Sequence, residues 1–538
     1  MSRATRREFL GAAAVATASA LAAPRVVRAG TPPARWVARP TRGCSSDPDL
    51  ADLAARAVDA ARSAGATYAD ARLTQGRAQS IVPIGEFESR AIGVRALVNG
   101  YWGFLASSVW TADEAARLAR GAVAQASAEG HGRTRAVELA ATPVVDRGRW
   151  VMPVKYDPFD IPIGEKLDVM AAFSDVAARQ EIGIGTTSTM DFAREYKVFA
   201  SSEGASWSQT TYRSSASFSV SYPDSYHAGL PGATAAADCF STAGRGWEYI
   251  AESGLADAIP RLVDEAKEAR YQVPFDIGRY DMVFSADAMA TLLDETIGPA
   301  TELDRAVGYE ANASGTSYLG PNPLELLGSY VVGSPLLTVV ANRSLAGGVA
   351  TVRWDDEGVA PEEFTVVKDG ALVDYQTTRE QATWLAPYYQ RLGRPIRSHG
   401  CANASSALAI TMQHAPNLAL MPGKNDTSFD DLVAGTERGI AVLSLSVRMD
   451  QQLVNGMAAG TMREIRRGKL GRYLVGGAIV FRTPELWKNL VAIGGPRTVA
   501  WSGTARSKGE PRQRTDHSIG AVPGKITQLS LVDLRRRV

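Results

Sequence analysis

The first part of the chain alternates between helical and strand-like patterns of apolar positions. Residues 48–63 place apolar side chains on one helical face, and residues 111–128 do the same, with Thr111 able to cap the first turn. Between these helices, alternating apolar and polar positions predict strands over 68–73, 78–84, 89–98 and 101–107. A helix, antiparallel strands and a second helix are typical of an α+β module.

Further along, strands become the dominant prediction. Helices are expected over 163–182 and 259–271, with strands over 186–192, 195–202 and 206–221. From residue 280 the pattern predicts strands over 280–284, 337–340, 350–353, 363–368, 371–375, 417–420, 439–449, 461–467, 473–481 and 526–532, and helices over 379–391, 429–437 and 484–491. We therefore expect an α+β fold, with an α+β domain over residues 48–275 followed by a β-rich domain over residues 276–538.

One predicted helix carries neighbouring acidic residues. It follows the strand at 280–284, and Ser285 is suited to cap its first turn. Asp294 and Glu295 lie near its end, before Gly298 and Pro299. Two interpretations are open at this point. The acids are either a solvated surface of the helix or groups for metal binding or acid/base chemistry on a rigid element.

The N-terminus has the three-part pattern of a twin-arginine export signal. Arg6 and Arg7 precede a mild apolar run over 9–23, and Ala29 ends a small-residue cleavage site. We therefore expect a signal peptide over residues 1–29 and a linker over 30–47. No later segment is long and apolar enough to predict a transmembrane helix. The predicted location is periplasmic or extracellular.

Charge and composition exclude several classes of protein. The chain has 58 Lys and Arg against 57 Asp and Glu, a balance that argues against nucleic acid as the main partner. Its three cysteines are too few and too widely spaced for a disulfide framework. No two of the five histidines have the spacing of a helical zinc site.

Several segments together resemble the TldD/PmbA family. They are GATYADARL at 65–73, GVRALVNGYWGF at 93–104, ELDRAVGYEANASGTS at 302–317, DDEGV at 355–359, DGALVDYQTTRE at 369–380 and NLALMPG at 417–423. The resemblance implies an α+β N-terminal domain, a β-rich C-terminal domain and dimers that enclose a cavity. It also implies peptides as ligands. TldD-type members are zinc peptidases with an HExxxH helix and a C-terminal cysteine ligand, whereas PmbA-type members are partner subunits without the metal motif.

This chain departs from the zinc-peptidase motif. Asp294 stands at the position of the first histidine and Pro299 at that of the second, so only Glu295, the expected general base, matches. No cysteine follows residue 401. Any metal site that remains would use Asp294, Glu302 and His517. With Asp294 and Glu302 alone it would be weak and rich in oxygen donors, better suited to Mg²⁺ or Ca²⁺ than to zinc.

These substitutions favour a non-catalytic peptide-binding or partner subunit, a pseudoenzyme that forms a homodimer or a heterodimer with a related chain. The resemblance implies zinc as cofactor, and the missing ligands leave open whether this chain binds zinc or no metal at all. The alternative is an active metallopeptidase with rebuilt ligands and Glu295 as general base. A third interpretation is a thiol enzyme, because His399 and Cys401 are two residues apart and would share a strand face. Against it, an unpaired cysteine is commonly a small core residue.

Overall fold

A computed structural model describes residues 48–129, 136–181, 184–221 and 234–534, and it shows the expected α+β fold. The predicted signal peptide (1–29) and linker (30–47) lie outside the described residues. The boundary at 275/276 stays a prediction, because residues 48–534 form one compact unit.

The first half of the chain forms a seven-stranded sheet covered by helices. Its strands are β1 (Tyr68–Ile81), β2 (Ile84–Val98), β3 (Tyr101–Ser107), β4 (Gly148–Val151), β5 (Gly185–Ser201), β6 (Ser206–Ser221) and β7 (Thr234–Ala243). The order is β3-β2-β1-β5-β6-β4, with β7 also on β6, and only the β4–β6 pair is parallel. The helices are α1 (Pro48–Ser63), α2 (Ala112–Ala128), α3 (Ile163–Gln180), α4 (Glu248–Ala251) and α5 (Leu255–Ala269), and a 3₁₀ turn spans Pro158–Asp160.

β1 corrects two of the predicted strands. The segments 68–73 and 78–84 were separated in the sequence pattern, but residues 68–81 form one strand. The sequence pattern does not predict this single strand, because both faces of the first half of β1 are buried. Apolar Leu73 packs in the helix-covered core, whereas Arg72 on the other face pairs with Asp356. Polar residues therefore occupy buried positions, and the usual alternation of inside and outside is lost.

The second half contains two larger sheets. The nine-stranded sheet has the order β16-β17-β20-β24-β8-β15-β18-β19, with β21 also on β24. Its strands are β8 (Gly278–Phe284), β15 (Arg438–Val442), β16 (Ser446–Met449), β17 (Asn455–Ala459), β18 (Met462–Arg466), β19 (Lys469–Tyr473), β20 (Gly477–Arg482), β21 (Leu490–Ile493) and β24 (Gly524–Asp533). The six-stranded sheet has the order β11-β10-β9-β14-β23-β22. It contains β9 (Val339–Asn342), β10 (Phe364–Lys368), β11 (Ala371–Leu372), β14 (Asn417–Leu420), β22 (Ala500–Lys508) and β23 (Gln513–Ala521).

Short helices and one small hairpin connect these sheets. The helices are α6 (Ala286–Thr296), α7 (Leu303–Ala306), α8 (Pro323–Leu326), α9 (Arg379–Trp384), α10 (Ala386–Arg391), α11 (Phe429–Ala434) and α12 (Thr483–Lys488). The hairpin pairs β12 (Ala402–Asn403) with β13 (Met412–Gln413), and 3₁₀ turns span Pro299–Thr301 and Pro496–Thr498. The single helix predicted over 379–391 is two helices, because Pro387 begins a new first turn. The strand predicted over 350–353 does not form.

Buried ion pairs tie the first sheet to the second half. Asp356 accepts from Arg72 and from Lys197, at 3.1 and 2.8 Å. The Glu357 carboxylate accepts a hydrogen bond from Arg95, which also donates to both carboxylate oxygens of Asp70. All these side chains are buried, so loss of one partner would leave an unpaired charge in the interior. The DDEGV segment is therefore a rigid connection between β1, β2, β5 and the second half.

Candidate functional site

Helix α6 positions the two neighbouring acids. It begins where β8 ends, and the Ser285 hydroxyl caps it by accepting from the Ala288 amide at 3.1 Å and donating to the Leu443 carbonyl at 2.7 Å. The helix packs against β22 and β23 of the six-stranded sheet and against β16. It ends at Thr296, and Pro299 starts the following 3₁₀ turn. Asp294 is buried, so the interpretation of a solvated acidic face is wrong for this residue.

The Asp294 carboxylate is held by two side chains from the six-stranded sheet. The His517 Nε2 donates to Oδ1 at 2.7 Å, and Arg506 Nη2 donates to the same oxygen at 2.5 Å. Arg506 and His517 lie on β22 and β23, where the pairing of Thr504 with His517 puts both side chains on one face. Gly298 leaves room for the guanidinium, because a Cβ there would lie 3.0 Å from Nη2.

A second charged cluster lies next to the first and is centred on Lys508. Its ammonium contacts Glu302 at 2.9 Å and Asp304 at 2.8 Å, and it also donates to the side-chain oxygen of Gln413. These three acceptors satisfy all three N–H donors of the lysine. All four side chains are buried. Lys508 therefore occupies the space between carboxylates that a metal ion would need.

Burial and neighbouring charges shift the pKa values of both clusters. Burial acts to raise the pKa of Asp294, but Arg506 and then His517 outweigh it and hold that pKa well below its usual range. Burial also raises the pKa of Asp304, to about 6, despite the opposing effect of Lys508. The pKa of Lys508 is raised, because its carboxylate neighbours outweigh the effect of burial.

Glu295 differs from the other acids because it points into open space. It lines a cleft of about 480 Å³, and its carboxylate makes no hydrogen bond or ion pair with any described residue. Burial raises its pKa, while Arg506 acts in the opposite direction. Nine of the other 17 lining residues carry hydroxyl groups: Thr189, Ser215, Ser217, Ser241, Thr242, Thr291, Ser444, Ser502 and Thr504. The cleft therefore combines many neutral hydrogen-bonding groups with four carboxyls, those of Asp191, Asp287, Asp294 and Glu295.

The structure brings together some of the residues predicted from the sequence and separates others. Asp294 and His517 are in contact, Glu295 lies beside them on the cleft, and Glu302 belongs to the neighbouring lysine cluster. Sequence reasoning missed Arg506 and Lys508. Their spacing of two residues puts both on one strand face, but nothing in the sequence indicates that this face is buried against acids.

His399 and Cys401 do not form a reactive thiol pair. Cys401 is fully buried, and burial raises its pKa to about 12, which keeps the thiol protonated. The His399 Nε2 lies 3.1 Å from Asp374, and its ring stacks on Phe364. Cys401 therefore belongs to the core.

The residues present do not fit a zinc ion. Within the described ranges, no group of three or more His, Cys, Asp or Glu side chains is arranged to hold a metal. Arg506 and His517 both donate to a single Asp294 oxygen, and Lys508 forms an ion pair with Glu302. A divalent ion would have to displace one of these cations from a buried carboxylate. The metal roles of Asp294, Glu302 and His517 remain a prediction that this arrangement disfavours.

Comparisons with known proteins agree with the motif resemblance. Residues 277–518 match the family model for the PmbA/TldA metallopeptidase C-terminal domain, and residues 76–126 match PmbA/TldA metallopeptidase domain 1. A metalloprotease of Methanocaldococcus jannaschii is 23% identical over 386 residues, covering 69% of this chain and 77% of that protein. A metalloprotease of Methanothermobacter thermautotrophicus is 25% identical over 381 residues, covering 69% and 75%.

Solved structures of similar fold agree with this family assignment. The structure of TldE from Thermococcus kodakarensis superposes with a TM-score of 0.66 at 12% identity, covering 90% of this chain and all of that one. At this identity the likeness concerns the fold alone. The two domain matches span more than half of the chain, and each metalloprotease relative aligns with 69% of it. The chain belongs to the TldD/PmbA family, as a metallopeptidase-like member.

Proposed function

We propose that this protein is a non-hydrolytic TldD/PmbA family member that binds peptides in the cleft beside Glu295. The observation that carries the proposal is the presence of two cations of the chain itself, Arg506 and Lys508, on the carboxylates of Asp294 and Glu302. Each cation already neutralises the negative charge that would attract a metal ion. Hydrolysis by the family's zinc mechanism requires a polarising metal next to the general base.

The proposed absence of bound metal follows from electrostatics. Arg506 and Lys508 are both buried or nearly so, and a divalent cation placed among them would meet two like charges at low effective dielectric. Displacing either cation would leave it unpaired in the interior, which costs about 3–5 kcal/mol. The strong zinc donors His and Cys that could offset this cost are reduced to His517.

The cleft is suited to an extended peptide. Its hydroxyl-rich wall can exchange hydrogen bonds with backbone amides and carbonyls without selecting particular side chains. Glu295 supplies a half-buried carboxyl at the end of the helix, as an acceptor for an amide or ammonium group of the ligand. We propose small or unfolded peptides as the ligand class, in keeping with the metalloprotease relatives.

Blocking the cleft tests peptide binding. Ser217→Trp would fill the cleft from β6, whereas Ser219→Trp adds the same bulk two residues further along the strand, outside the cleft lining. Fluorescence anisotropy with a labelled unstructured peptide should show binding to wild type and Ser219→Trp, and at least about tenfold weaker binding to Ser217→Trp. Equal affinity of both variants would rule out this cleft as the peptide site.

A second candidate function is hydrolysis of small or unfolded peptides. It is favoured by Glu295, whose raised pKa and position on the cleft suit a general base. Metal content and hydrolysis of a fluorogenic peptide should be measured on the full chain, before and after chelation, for wild type and Glu295→Gln. Our proposal predicts no hydrolysis above buffer in any sample. Chelator-sensitive cleavage that Glu295→Gln abolishes would contradict it and establish the peptidase.

Localisation and assembly complete the proposal. We propose export by the twin-arginine route to the periplasm or outside the cell, based on the N-terminal pattern at Arg6 and Arg7. Within the described residues, none of the helices has the length and apolar content needed to cross a membrane. We further propose a homodimer, or a heterodimer with a second TldD/PmbA-type chain. Light scattering of the purified protein, alone and mixed with such a chain, would distinguish these states from a monomer.

A further inference from the structure

A smaller and more basic pocket lies apart from the peptide cleft. Its volume is about 100 Å³, and it is lined by elements of the first sheet, the β12–β13 hairpin, the segment after β9 and β23. Five of its side chains are basic: Lys197, Arg213, Arg343, His414 and Arg514. We call this site the basic pocket. None of these residues belongs to the Asp294 or Lys508 clusters.

Arg343 is a buried cation without an ion pair. Only 3% of the residue is exposed, and no carboxylate among the described residues lies within ion-pair distance of its guanidinium. Its Nε and Nη1 donate to backbone carbonyls at 2.9–3.2 Å, whereas Nη2 makes no hydrogen bond to a described residue. Arginine cannot give up its proton in a protein. A buried charge of this kind is costly, and the buried Asp355 carboxyl, whose pKa burial raises while Arg343 lowers it, offsets that charge only when it is ionised.

His414, another lining residue of this pocket, carries a second unused donor. The Lys197 ammonium, which can only donate, faces the Asn403 side-chain oxygen at 3.5 Å, so the Asn403 amide nitrogen faces His414 Nδ1 at 3.3 Å. Nδ1 must therefore accept, which places the proton of the neutral ring on Nε2. The pKa of His414 is lowered by burial and by nearby cations, so the neutral ring prevails. Nε2 is buried and has no partner in the described parts of the chain.

The remaining charged residues leave the pocket with an excess of positive charge. Lys197 contacts Asp356 at 2.8 Å and Glu195 at 3.5 Å. At the other wall, Arg213 and Arg514 share a single carboxylate, that of Asp516, at 3.4 and 2.6 Å. The Nε of Arg213 is also buried without a hydrogen bond. The acids of the lining are thus already engaged, whereas three of its donors face no acceptor.

We propose that the basic pocket binds one small oxyanion, held by Arg343 Nη2 and His414 Nε2 with Arg213 at its edge. Acceptor oxygens of one negative group would satisfy all three donors and neutralise the Arg343 charge. The volume limits the ligand, since a water molecule alone takes about 30 Å³ in the liquid. Phosphate, sulfate and acetate meet the requirement in size and chemistry, whereas a peptide does not. The proposal is independent of the peptide cleft.

Calorimetric titration of the full chain tests this anion-binding proposal. The titrants are sodium phosphate, sodium sulfate and sodium acetate, and sodium chloride at equal ionic strength is the control for each. We expect saturable binding of one equivalent of at least one of them, and the preferred ion shows whether tetrahedral or carboxylate oxygens fit best. His414→Phe and Arg213→Gln should each weaken binding by about tenfold. Arg497→Gln, at a largely exposed arginine, should leave it unchanged.

If His414→Phe fails to fold, Arg213→Gln decides, because the Arg213 side chain is 34% exposed and its loss leaves the core intact. Two results would overturn the proposal. One is the absence of saturable heat with all three anions. The other is an affinity of Arg213→Gln equal to that of Arg497→Gln. In either case the three donors would be hydrated rather than bound to an anion.

Discussion

Replacing Lys508 by methionine tests whether this lysine holds the carboxylate cluster together. The ammonium lies 2.9 Å from Glu302 and 2.8 Å from Asp304, and both carboxyls are less than a tenth exposed. Lys508→Met keeps the aliphatic length and removes the charge, so two buried acids would face each other unpaired. Breaking a buried pair in this way costs about 3–5 kcal/mol of unfolding free energy.

The loss of unfolding free energy in Lys508→Met should depend on pH. The pKa of Asp304 is already raised, to about 6, and without the ammonium it must rise further. An acid whose pKa is higher in the folded protein than in the unfolded protein favours folding while it is protonated. The free energy of unfolding therefore falls as the pH rises through the folded pKa. Below that range Asp304 is protonated in both proteins and the variant loses only the contact with Glu302, so it should lose less free energy at about pH 5 than at about pH 8.

Urea unfolding followed by tryptophan fluorescence measures this difference at both pH values. Lys469→Met is the matched control, because Lys469 is exposed on β19 and has no ion pair with a described residue. Its free energy of unfolding should stay within about 0.5 kcal/mol of wild type. The reasoning fails if Lys508→Met is as stable as the control at about pH 8, or if it loses the same free energy at both pH values.

Three further predictions concern other residues of the chain. Asp294→Asn should leave Arg506 unpaired and lower the unfolding free energy by about 3–5 kcal/mol near neutral pH; since the folded pKa of Asp294 is depressed, the deficit should stay complete above the unfolded pKa of about 4 and shrink as pH falls below it toward the folded pKa, as urea titrations would show. Gly503→Ala should cost about 1–3 kcal/mol because its Cβ would lie 1.8 Å from a β7 carbonyl oxygen, whereas Gly164→Ala, with open space around it, should be neutral or stabilising in thermal melts. Cys401 should react with iodoacetamide only after unfolding, as peptide mapping by mass spectrometry would show.

The sequence predicts the fold class and the location of the site through local signals. The Ser285 cap and the helical spacing after it place α6 correctly, because both depend on neighbours within a few residues. The Asp369–Gly370 pair likewise sits at the turn between β10 and β11, with φ of 48° and 82°. The ordered motifs identify the family, which the domain matches confirm.

The partners of the acids could not be predicted, because they depend on which distant strand faces the helix. Arg506 and Asp294 are 212 residues apart, and their contact follows from the register of β22 on β23 and from the packing of α6. β22 and β23 were not predicted as strands at all. Their sequences, AWSGTARSK and QRTDHSIGA, bury charged and polar groups and so lack the apolar alternation typical of a strand.

The position of β8 in its sheet has a consequence for synthesis on the ribosome. β8 is the first strand of the nine-stranded sheet to be made, yet it lies between β15 and β24, and β24 is the last strand of the described chain. Until roughly 240 further residues have been translated, one edge of β8 has no neighbour. A nascent or prematurely terminated chain thus exposes an unpaired apolar strand, the kind of surface that aggregates or recruits chaperones. Loss of even the last strand should therefore yield insoluble protein rather than a shortened folded one.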